Sequence, residues 1–364
     1  MIERKRFTLA TVALTAALAL AACGGGSKNA DPKKSTTTAS ATTTTAKTPP
    51  IAPLTGLPDP SGAALGRASL AVKIENTPEA RPQSGLDVAD IVYEEVVDGG
   101  ITRFIAVFNS NAPDSVGPVR SVRPMDPQVL RPLGGIFMLS GGTPKNLAAA
   151  QAGPFLVLTE NNQDVMFRLK SRPAPHNLYA YPAKAWSKGG KPIPPPAMFT
   201  YRAANAPFPG EGVDSFTVNF IPRAGYAASF SWNAFTQSWD RSMGGVPFNA
   251  ASGKRVSPKN VIVQFLQWQG QPGAFDAEGV VSGSGDAWIF SAGKLVKGRW
   301  SHSDPNQPTT YTDAAGAPLS LTPGQTWVSF APVGSVVDVR APAATTAAPA
   351  TTATRAPATT AKKK

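Results

Sequence analysis

The chain is poor in cysteine and histidine, with one cysteine and two histidines in 364 residues, and this shortage excludes several kinds of chemistry. Cys23 stands alone, so no disulfide can form within the chain. His176 and His302 are far apart in sequence, and no HExxH motif or cysteine pair accompanies them. We therefore predict no metal site and no cofactor. A serine triad would also need one of these histidines, and the Gly-x-Ser-x-Gly elbow is absent.

Long hydrophobic runs are also scarce, and the one run that stands out is at the start of the chain. Phe7 to Ala22 is uncharged over 16 residues and follows Arg4-Lys5-Arg6. It is shorter than the roughly 20 residues of a spanning helix and is typical of a secretory signal. Its end, Leu20-Ala21-Ala22-Cys23, resembles a bacterial lipobox, which implies cleavage before Cys23 and lipid attachment to it. We predict a signal peptide at 1–22 and a protein held by lipid on Cys23 at the extracytoplasmic face of the cell membrane.

The net charge of +12 belongs mostly to the ends of the chain. The segment 1–22 has three basic residues and one acidic residue, and the segment 23–52 has four basic residues and one acidic residue. The segment 341–364 has four basic residues and no acidic residue, so a net charge of about +3 remains for the body. The segments 23–52 and 341–364 are rich in Thr, Ala and Pro, so we predict a disordered tether and a disordered tail. Because the body lacks a basic face interleaved with aromatics, we predict no nucleic-acid partner.

The first part of the body, 53–198, combines strand and helix signals. Strands are predicted at Leu70–Glu75, Ile91–Val97, Ile101–Phe108 and Ile136–Ser140. Asp126-Pro127 and Thr143-Pro144 are typical of helix starts, with the second helix ending at Gly153. We predict a mixed α/β domain, and hence an α+β chain.

The second part, 199–340, has a different pattern. Apolar residues alternate along 216–220, 226–232 and 235–239, Val261–Phe265 is a continuous apolar run, and a hairpin is predicted around Ala292-Gly293. Short strands between turn residues indicate a mostly antiparallel all-β domain. The proline-rich segment from Lys191 to Met198 is the predicted linker between the two domains.

The turn Asp98-Gly99-Gly100 joins two strands of the predicted hairpin, and its length decides which carboxylate faces Arg103. A two-residue turn places Val96 opposite Arg103, with Glu94 on the diagonal. A three-residue loop places Glu95 directly opposite. Both registers remain open at this stage.

Arginines beside glycine and proline, in loops that follow strands, are the candidate binding residues. The segment "GPVRSVRP" contributes Arg120 and Arg123, and Thr-Arg-Phe contributes Arg103. The glycine pair after Ser140 leaves backbone N–H groups free beside a helix start, where anions bind well. The planar guanidinium of an arginine can donate two parallel hydrogen bonds to a carboxylate or a phosphate. The complete predicted ligand-binding set is Arg103, Arg120, Arg123, Ser140, Gly141, Gly142, His176 and Asn177.

A series of motifs resembles one known family. In order, they are Pro53–Pro58, Arg81–Gly85, Ala89–Glu94, Gly99–Phe104, Gly117–Arg123, Ala174–Asn177, Asn260–Gln264, Gly283–Gly285 and Pro323–Trp327. Together they are similar to the YerB-like family of bacterial lipoproteins, a domain family without established activity. Asp98 stands where that family usually has Glu. The resemblance implies an envelope location and no mechanism.

Two functions follow as hypotheses. The first is a lipid-anchored envelope protein that binds a wall polymer or a protein partner through its N-terminal domain, with the membrane as its other partner through Cys23. The second is a cell-wall glycan hydrolase or transferase that uses Glu94 or Glu95 with His176. The sequence leaves open whether the protein is an enzyme.

Overall fold

The structure, a computed structural model, describes residues 48–189, 193–203, 205–221 and 225–343. The predicted signal peptide, Cys23, and most of the predicted tether and tail lie outside these ranges. None of the helices within them is long and apolar enough to span a membrane.

The region before the proline-rich segment forms seven strands and three short helices, besides single helical turns such as Asp98–Gly100. The strands are β1 (Leu70–Ile74), β2 (Ile91–Val97), β3 (Ile101–Phe108), β4 (Ile136–Met138), β5 (Leu156–Leu158), β6 (Met166–Arg168) and β7 (Leu178–Ala180). The helices are α1 (Asp126–Leu130), α2 (Pro144–Gln151) and α3 (Pro182–Lys188). All residues of β1 and β2 are buried, as expected for apolar runs covered on both faces.

The regular elements among the described residues after the proline-rich segment are all strands. They are β8 (Glu211–Gly212), β9 (Ser215–Asn219), β10 (Ala228–Asn233), β11 (Ser238–Met243), β12 (Val246–Pro247), β13 (Asn260–Leu266), β14 (Trp268–Gln269), β15 (Glu278–Gly279), β16 (Gly283–Ser291), β17 (Lys294–His302), β18 (Thr310–Asp313), β19 (Thr326–Pro332) and β20 (Val336–Arg340). The predicted hairpin joins β16 and β17 through Ala292 and Gly293, both with positive φ. Two such residues are the signature of a tight hairpin turn.

Most of these strands belong to one large mixed sheet, so the protein is mostly β. The order is β18-β17-β16-β13-β19-β2-β3-β1-β4-β5, with β8 beside β17. The parallel pair β19–β2 joins strands from both sides of the predicted linker. A domain boundary drawn at residue 198 would therefore pass through a continuous sheet.

The register of the β2–β3 hairpin settles the choice left open by the sequence. Glu95 is directly opposite Arg103, and Asp98–Gly100 form the connecting turn. The three-residue loop is the correct one. Gly99 has a φ of 76°, a conformation that a residue without a Cβ adopts readily.

A second sheet of five strands, in the order β12-β11-β10-β9-β20, covers one face of the large sheet. Phe216 of the small sheet stacks on Phe290 of the large one, with ring centroids 3.5 Å apart. Buried apolar residues of α1 and α2 join the core on the opposite face of the large sheet. These two cores hold the strands in place and leave the strand ends to form the functional surface.

The two ends of the large sheet carry different segments. At the end where β2 and β19 begin, Gly324 donates its N–H to the Thr55 carbonyl, and Asn109 bonds the carbonyl of Ala64. The first described residues therefore pack at this end. Glu75, Asp98 and the start of β3 lie at the opposite end, which we call the distal rim.

Candidate functional site

Glu75 is the centre of the site on the distal rim. Its fully buried carboxylate follows β1 directly. The Nε atom of Arg120 is 3.1 Å from Oε1, and Nδ1 of His176 is 3.0 Å from Oε2. The Thr77 hydroxyl donates to Oε1 at 3.3 Å. Glu75 thus draws together the "GPVRSVRP" segment and the loop before β7, which are far apart in sequence.

Arg103 and Arg123 lie beside this group. Arg123 donates from Nη2 to Oδ2 of Asp98 at 2.5 Å and from Nη1 to the Val122 carbonyl at 3.1 Å. Arg103 donates from Nη1 to the Ser121 carbonyl at 3.3 Å. The guanidiniums of Arg103, Arg120 and Arg123 therefore belong to one cluster, with Glu75 and Asp98 as its carboxylates. We call these five residues the arginine cluster.

The field around Arg103 shows that the cluster is cationic. Burial, together with the smaller effect of the like charges of Arg123 and Arg120, lowers the pKa of Arg103 to about 10, against the opposing effect of Asp98 and Glu75. An anion at this position would relieve the repulsion between the guanidiniums.

The arginine cluster has donors that no protein group takes up. Within the described residues, the two terminal Nη groups of Arg120 have no acceptor, and its Nε forms an ion pair with Glu75 but no hydrogen bond. The Nε of Arg103 is buried without an acceptor as well. Buried donors are usually paired, so these groups indicate a place for a missing acceptor.

The predicted glycine turn runs alongside the arginine segment. Ser140 donates its N–H to the Arg120 carbonyl at 3.0 Å, and Val122 donates to the Gly141 carbonyl at 2.9 Å. The Ser140 and Ser121 hydroxyls are 3.3 Å apart. A Cβ on Gly142 would lie 2.5 Å from Cγ1 of Val122, so only glycine allows this approach.

The turn itself leads into α2. The Thr143 side chain accepts from the Asn146 N–H at 3.3 Å, which confirms the predicted cap. Within the described part of the chain, the N–H groups of Gly141 and Gly142 make no hydrogen bond. They are available to a ligand that reaches the turn.

Asn177 is the predicted residue that the structure places elsewhere. Its amide accepts from Nη1 of Arg168 at 2.9 Å and donates to the Arg172 carbonyl at 3.3 Å. These contacts hold the loop before β7, and none reaches the arginine cluster. The structure therefore brings together Arg103, Arg120, Arg123 and His176, with the Ser140–Gly142 turn alongside, and leaves Asn177 apart.

Beneath Arg103 lies a buried triad that sequence reasoning missed. The Lys73 ammonium contacts the carboxyl of Glu95 and lies 2.8 Å from Oδ1 of Asp126, and all three residues are buried. Asp126 is not the helix cap predicted from the sequence; Met125 is, and Asp126 accepts the Arg123 N–H at 2.7 Å. A lysine within the apolar strand Leu-Ala-Val-Lys-Ile was the available signal, because a buried ammonium requires acceptors.

Burial raises the pKa of Glu95 to about 8, and the nearby Asp126 adds to this rise while Lys73 opposes it. The carboxyl is therefore mostly protonated near neutral pH. The triad then holds one ammonium against one carboxylate and a neutral acid, which is the charge balance that a dry interior requires.

Glu94 faces the other side of the sheet, as adjacent strand residues must. Nη2 of Arg241 lies 2.9 Å and 3.1 Å from its two oxygens, and Nε1 of Trp327 donates to it at 2.9 Å. Glu94 and Arg241 are completely buried, and His176 contacts Glu75 and Thr77 instead. The arrangement gives Glu94, Glu95 and His176 no shared space for a substrate.

Metal ligands do not gather in the described part of the chain, where no three His, Cys, Asp or Glu side chains are placed to hold an ion. The prediction of no metal stays a prediction for the whole protein.

Comparison with known proteins shows where this architecture recurs. Residues 54–191 match the model of the "Protein of unknown function (DUF3048) N-terminal domain", and residues 216–328 match that of its C-terminal domain. The chain belongs to the DUF3048 family. The family resemblance inferred from the motifs is therefore confirmed.

Two relatives extend this comparison. The protein named "Putative lipoprotein YerB" of Bacillus subtilis (strain 168) is 30% identical over 294 residues, which cover 77% of this chain and 86% of that protein. The crystal structure of the YerB protein from Bacillus subtilis has the same fold, with a TM-score of 0.69 and 24% identity over 79% of this chain and 99% of that one. The match to YerB supports a lipoprotein of unknown function.

Proposed function

We propose that this protein is a lipid-anchored envelope protein that binds an anionic wall polymer at the arginine cluster. The N-terminal region supplies the cluster, and the C-terminal strands complete the sheet that supports it. The lipobox ending in Cys23 and the lipoprotein name of the Bacillus subtilis relative support the anchor. The cluster lies at the end of the sheet opposite the one where Thr55 packs against Gly324.

The observation that carries the proposal is the unused guanidinium of Arg120. Its Nη groups have no acceptor among the described residues, while its Nε lies 3.1 Å from Oε1 of Glu75 in an ion pair. A planar fork fixed at one edge presents two parallel donors to a carboxylate or a phosphate. The side chain of Arg120 is 24% exposed, so a ligand can reach it.

The neighbouring groups suit the same ligand. Arg103 and Arg123 add positive charge, and the Gly141 and Gly142 N–H groups add neutral donors on the adjacent segment. Carboxylates of wall peptides and phosphates of wall polymers share the acceptor geometry that this set requires. No observation in the structure favours the hydrolase alternative, because Glu94 and Glu95 are buried, on opposite faces and already paired.

Isothermal titration with two probes tests the proposal: soluble muropeptides for carboxylate and inorganic phosphate for phosphate. We expect the purified protein to bind at least one probe, and Arg120→Lys to lower that affinity about tenfold, because lysine cannot donate a fork. The free energy of unfolding should change by less than about 0.5 kcal/mol. Arg131→Lys, which alters an exposed arginine bonded to Asn306, is the matched control.

Two results would contradict the proposal. One is the absence of binding to both probes at low salt. The other is a loss of stability in Arg120→Lys with unchanged affinity, which would make the arginine a structural clamp for Glu75.

A further inference from the structure

A cavity of about 530 Å³ opens on the distal rim, apart from the arginine cluster. It lies where β13 and β19 end and β16 begins, beyond the edge strand β20 of the small sheet. Its size is within the range of pockets that hold small ligands. The residues that decide its chemistry are Phe265, Gln267, Ser282, Ser284, Trp288 and Trp300.

Aromatic rings form the wall of this cavity. Phe265 and Trp288 stand on neighbouring strands, with ring centroids 5.8 Å apart and planes at 71°. Both side chains are only partly buried, whereas Trp300 is buried and donates from Nε1 to the Phe265 carbonyl at 2.9 Å. A Cβ on Gly285 would lie 2.6 Å from that Nε1, so glycine is needed for the Trp300 ring to lie here.

Three polar side chains of the lining are exposed and can bind a ligand. Within the described residues, the side chains of Gln267, Ser282 and Ser284 make no hydrogen bond. A carboxamide and two hydroxyls can each donate and accept, so they match a partner that does both. Hydroxyl groups of a sugar have this property.

The charged side chains around the cavity are one carboxylate and two cations. Asp286 and Arg299 form an exposed ion pair, with Nη1 and Oδ1 3.0 Å apart. The Lys297 ammonium lies 4.1 Å from the centroid of the Trp288 ring, where the ring's π electrons attract it. The cavity lining contains a single guanidinium, that of Arg299. It therefore lacks the group of three guanidiniums that favours an anionic ligand at the arginine cluster.

From these observations we propose that this cavity binds one or two residues of a neutral saccharide chain. The apolar faces of the sugar rings pack on Phe265 and Trp288, and their hydroxyl and acetamido groups pair with Gln267, Ser282 and Ser284. An aliphatic ligand that covered these exposed side chains would remove their water without offering a hydrogen bond in return, which costs free energy. The proposal rests on the cavity alone and is independent of what the arginine cluster binds.

Titration calorimetry with the trisaccharide and tetrasaccharide of β-1,4-linked N-acetylglucosamine tests this site. We expect Trp288→Ala to lower the affinity tenfold or more and Gln267→Ala to lower it severalfold. Gln267→Ala removes an exposed side chain that has no hydrogen-bond partner among the described residues, so it should fold even if Trp288→Ala does not. Phe235→Ala is the matched control, because Phe235 is 97% exposed on the β10–β11 turn, outside the cavity lining.

The outcomes separate this site from the arginine cluster. Arg120→Lys should leave the affinity for the oligosaccharide unchanged. Failure of the protein to bind either oligosaccharide would overturn the saccharide site and leave the anion site untouched. Equal affinity in wild type, Gln267→Ala and Trp288→Ala would also overturn it, as would binding of a sugar-free wall peptide that Trp288→Ala abolishes.

Discussion

Glu95 and Arg103 are directly opposite in the β2–β3 pair, yet the Glu95 carboxyl contacts the Lys73 ammonium. Arg103 therefore donates to the Ser121 carbonyl instead, and it experiences the positive charges of Arg120 and Arg123. This relationship explains how a cationic rim can lie directly above a buried carboxyl. Glu95 is mostly neutral near pH 7, and the Lys73 ammonium contacts both Glu95 and Asp126.

The first prediction concerns the pH dependence of stability. The pKa of Glu95 is about 8 in the folded protein, above the usual value of 4.5. The folded state thus binds the proton more tightly, and this contribution to stability is complete below pH 4.5 and is lost as the pH rises through 8. Between these limits the free energy of unfolding should fall by up to about 1.4 kcal/mol per pH unit. Glu95→Gln should remove this slope in urea titrations from pH 5 to pH 9.

Asp286→Asn is the control for that experiment, because Asp286 is exposed and its substitution should leave the slope unchanged. An identical pH profile in wild type and Glu95→Gln would show that Glu95 keeps an ordinary pKa.

The second prediction concerns the buried pair between the two sheets. Arg241→Met should lower the free energy of unfolding by about 3–5 kcal/mol, because it leaves the Glu94 carboxylate buried without its cation. The double variant Glu94→Gln, Arg241→Met should be more stable than the single one. Chemical denaturation measures both.

Arg299→Ala serves as the comparison, since its exposed pair with Asp286 should contribute less than about 1 kcal/mol. A double variant as unstable as Arg241→Met would show that packing of the arginine, and not its charge, stabilises this interface. Rings of Phe104, Phe248 and Trp327 surround the guanidinium, so that outcome is physically meaningful.

The third prediction concerns the anchor. Cys23→Ala removes the only sulfur to which a diacylglycerol could be attached, so the protein should appear in the medium or remain unprocessed. Membrane fractionation and the mass of the amino-terminal peptide measure this. Ser27→Ala should behave like wild type, and normal membrane retention of Cys23→Ala would refute lipidation.

The local features of this fold were predictable because they depend on neighbours in sequence. β-branched runs around Asp98-Gly99-Gly100 and around Ala292-Gly293 predicted two hairpins, and both are present. Thr143-Pro144 predicted the start of α2, and the Thr143 cap is made. Turn and cap geometry is decided within a few residues, so the sequence alone was sufficient.

The partners of charged residues were not predictable in this way. Arg103 was expected to pair with Glu94 or Glu95, but Glu94 pairs with Arg241 and Glu95 contacts Lys73. Asp126 was expected to cap a helix and instead contacts Lys73 of β1 from the first residue of α1. An ion pair depends on which distant strands become neighbours, and a single sequence does not encode that order locally.

The sequence by itself determined the signal-like amino terminus, the strand-rich body and the choice of Arg103, Arg120 and Arg123 as candidate binding residues. Only the tertiary structure decided that β19 lies beside β2, so that one sheet contains strands from both sides of the predicted linker. It also decided that Glu75 gathers Arg120 and His176 while Asn177 lies apart. The physical reason is that burial of apolar faces selects the strand order, and the strand order then determines which charged side chains share a desolvated space.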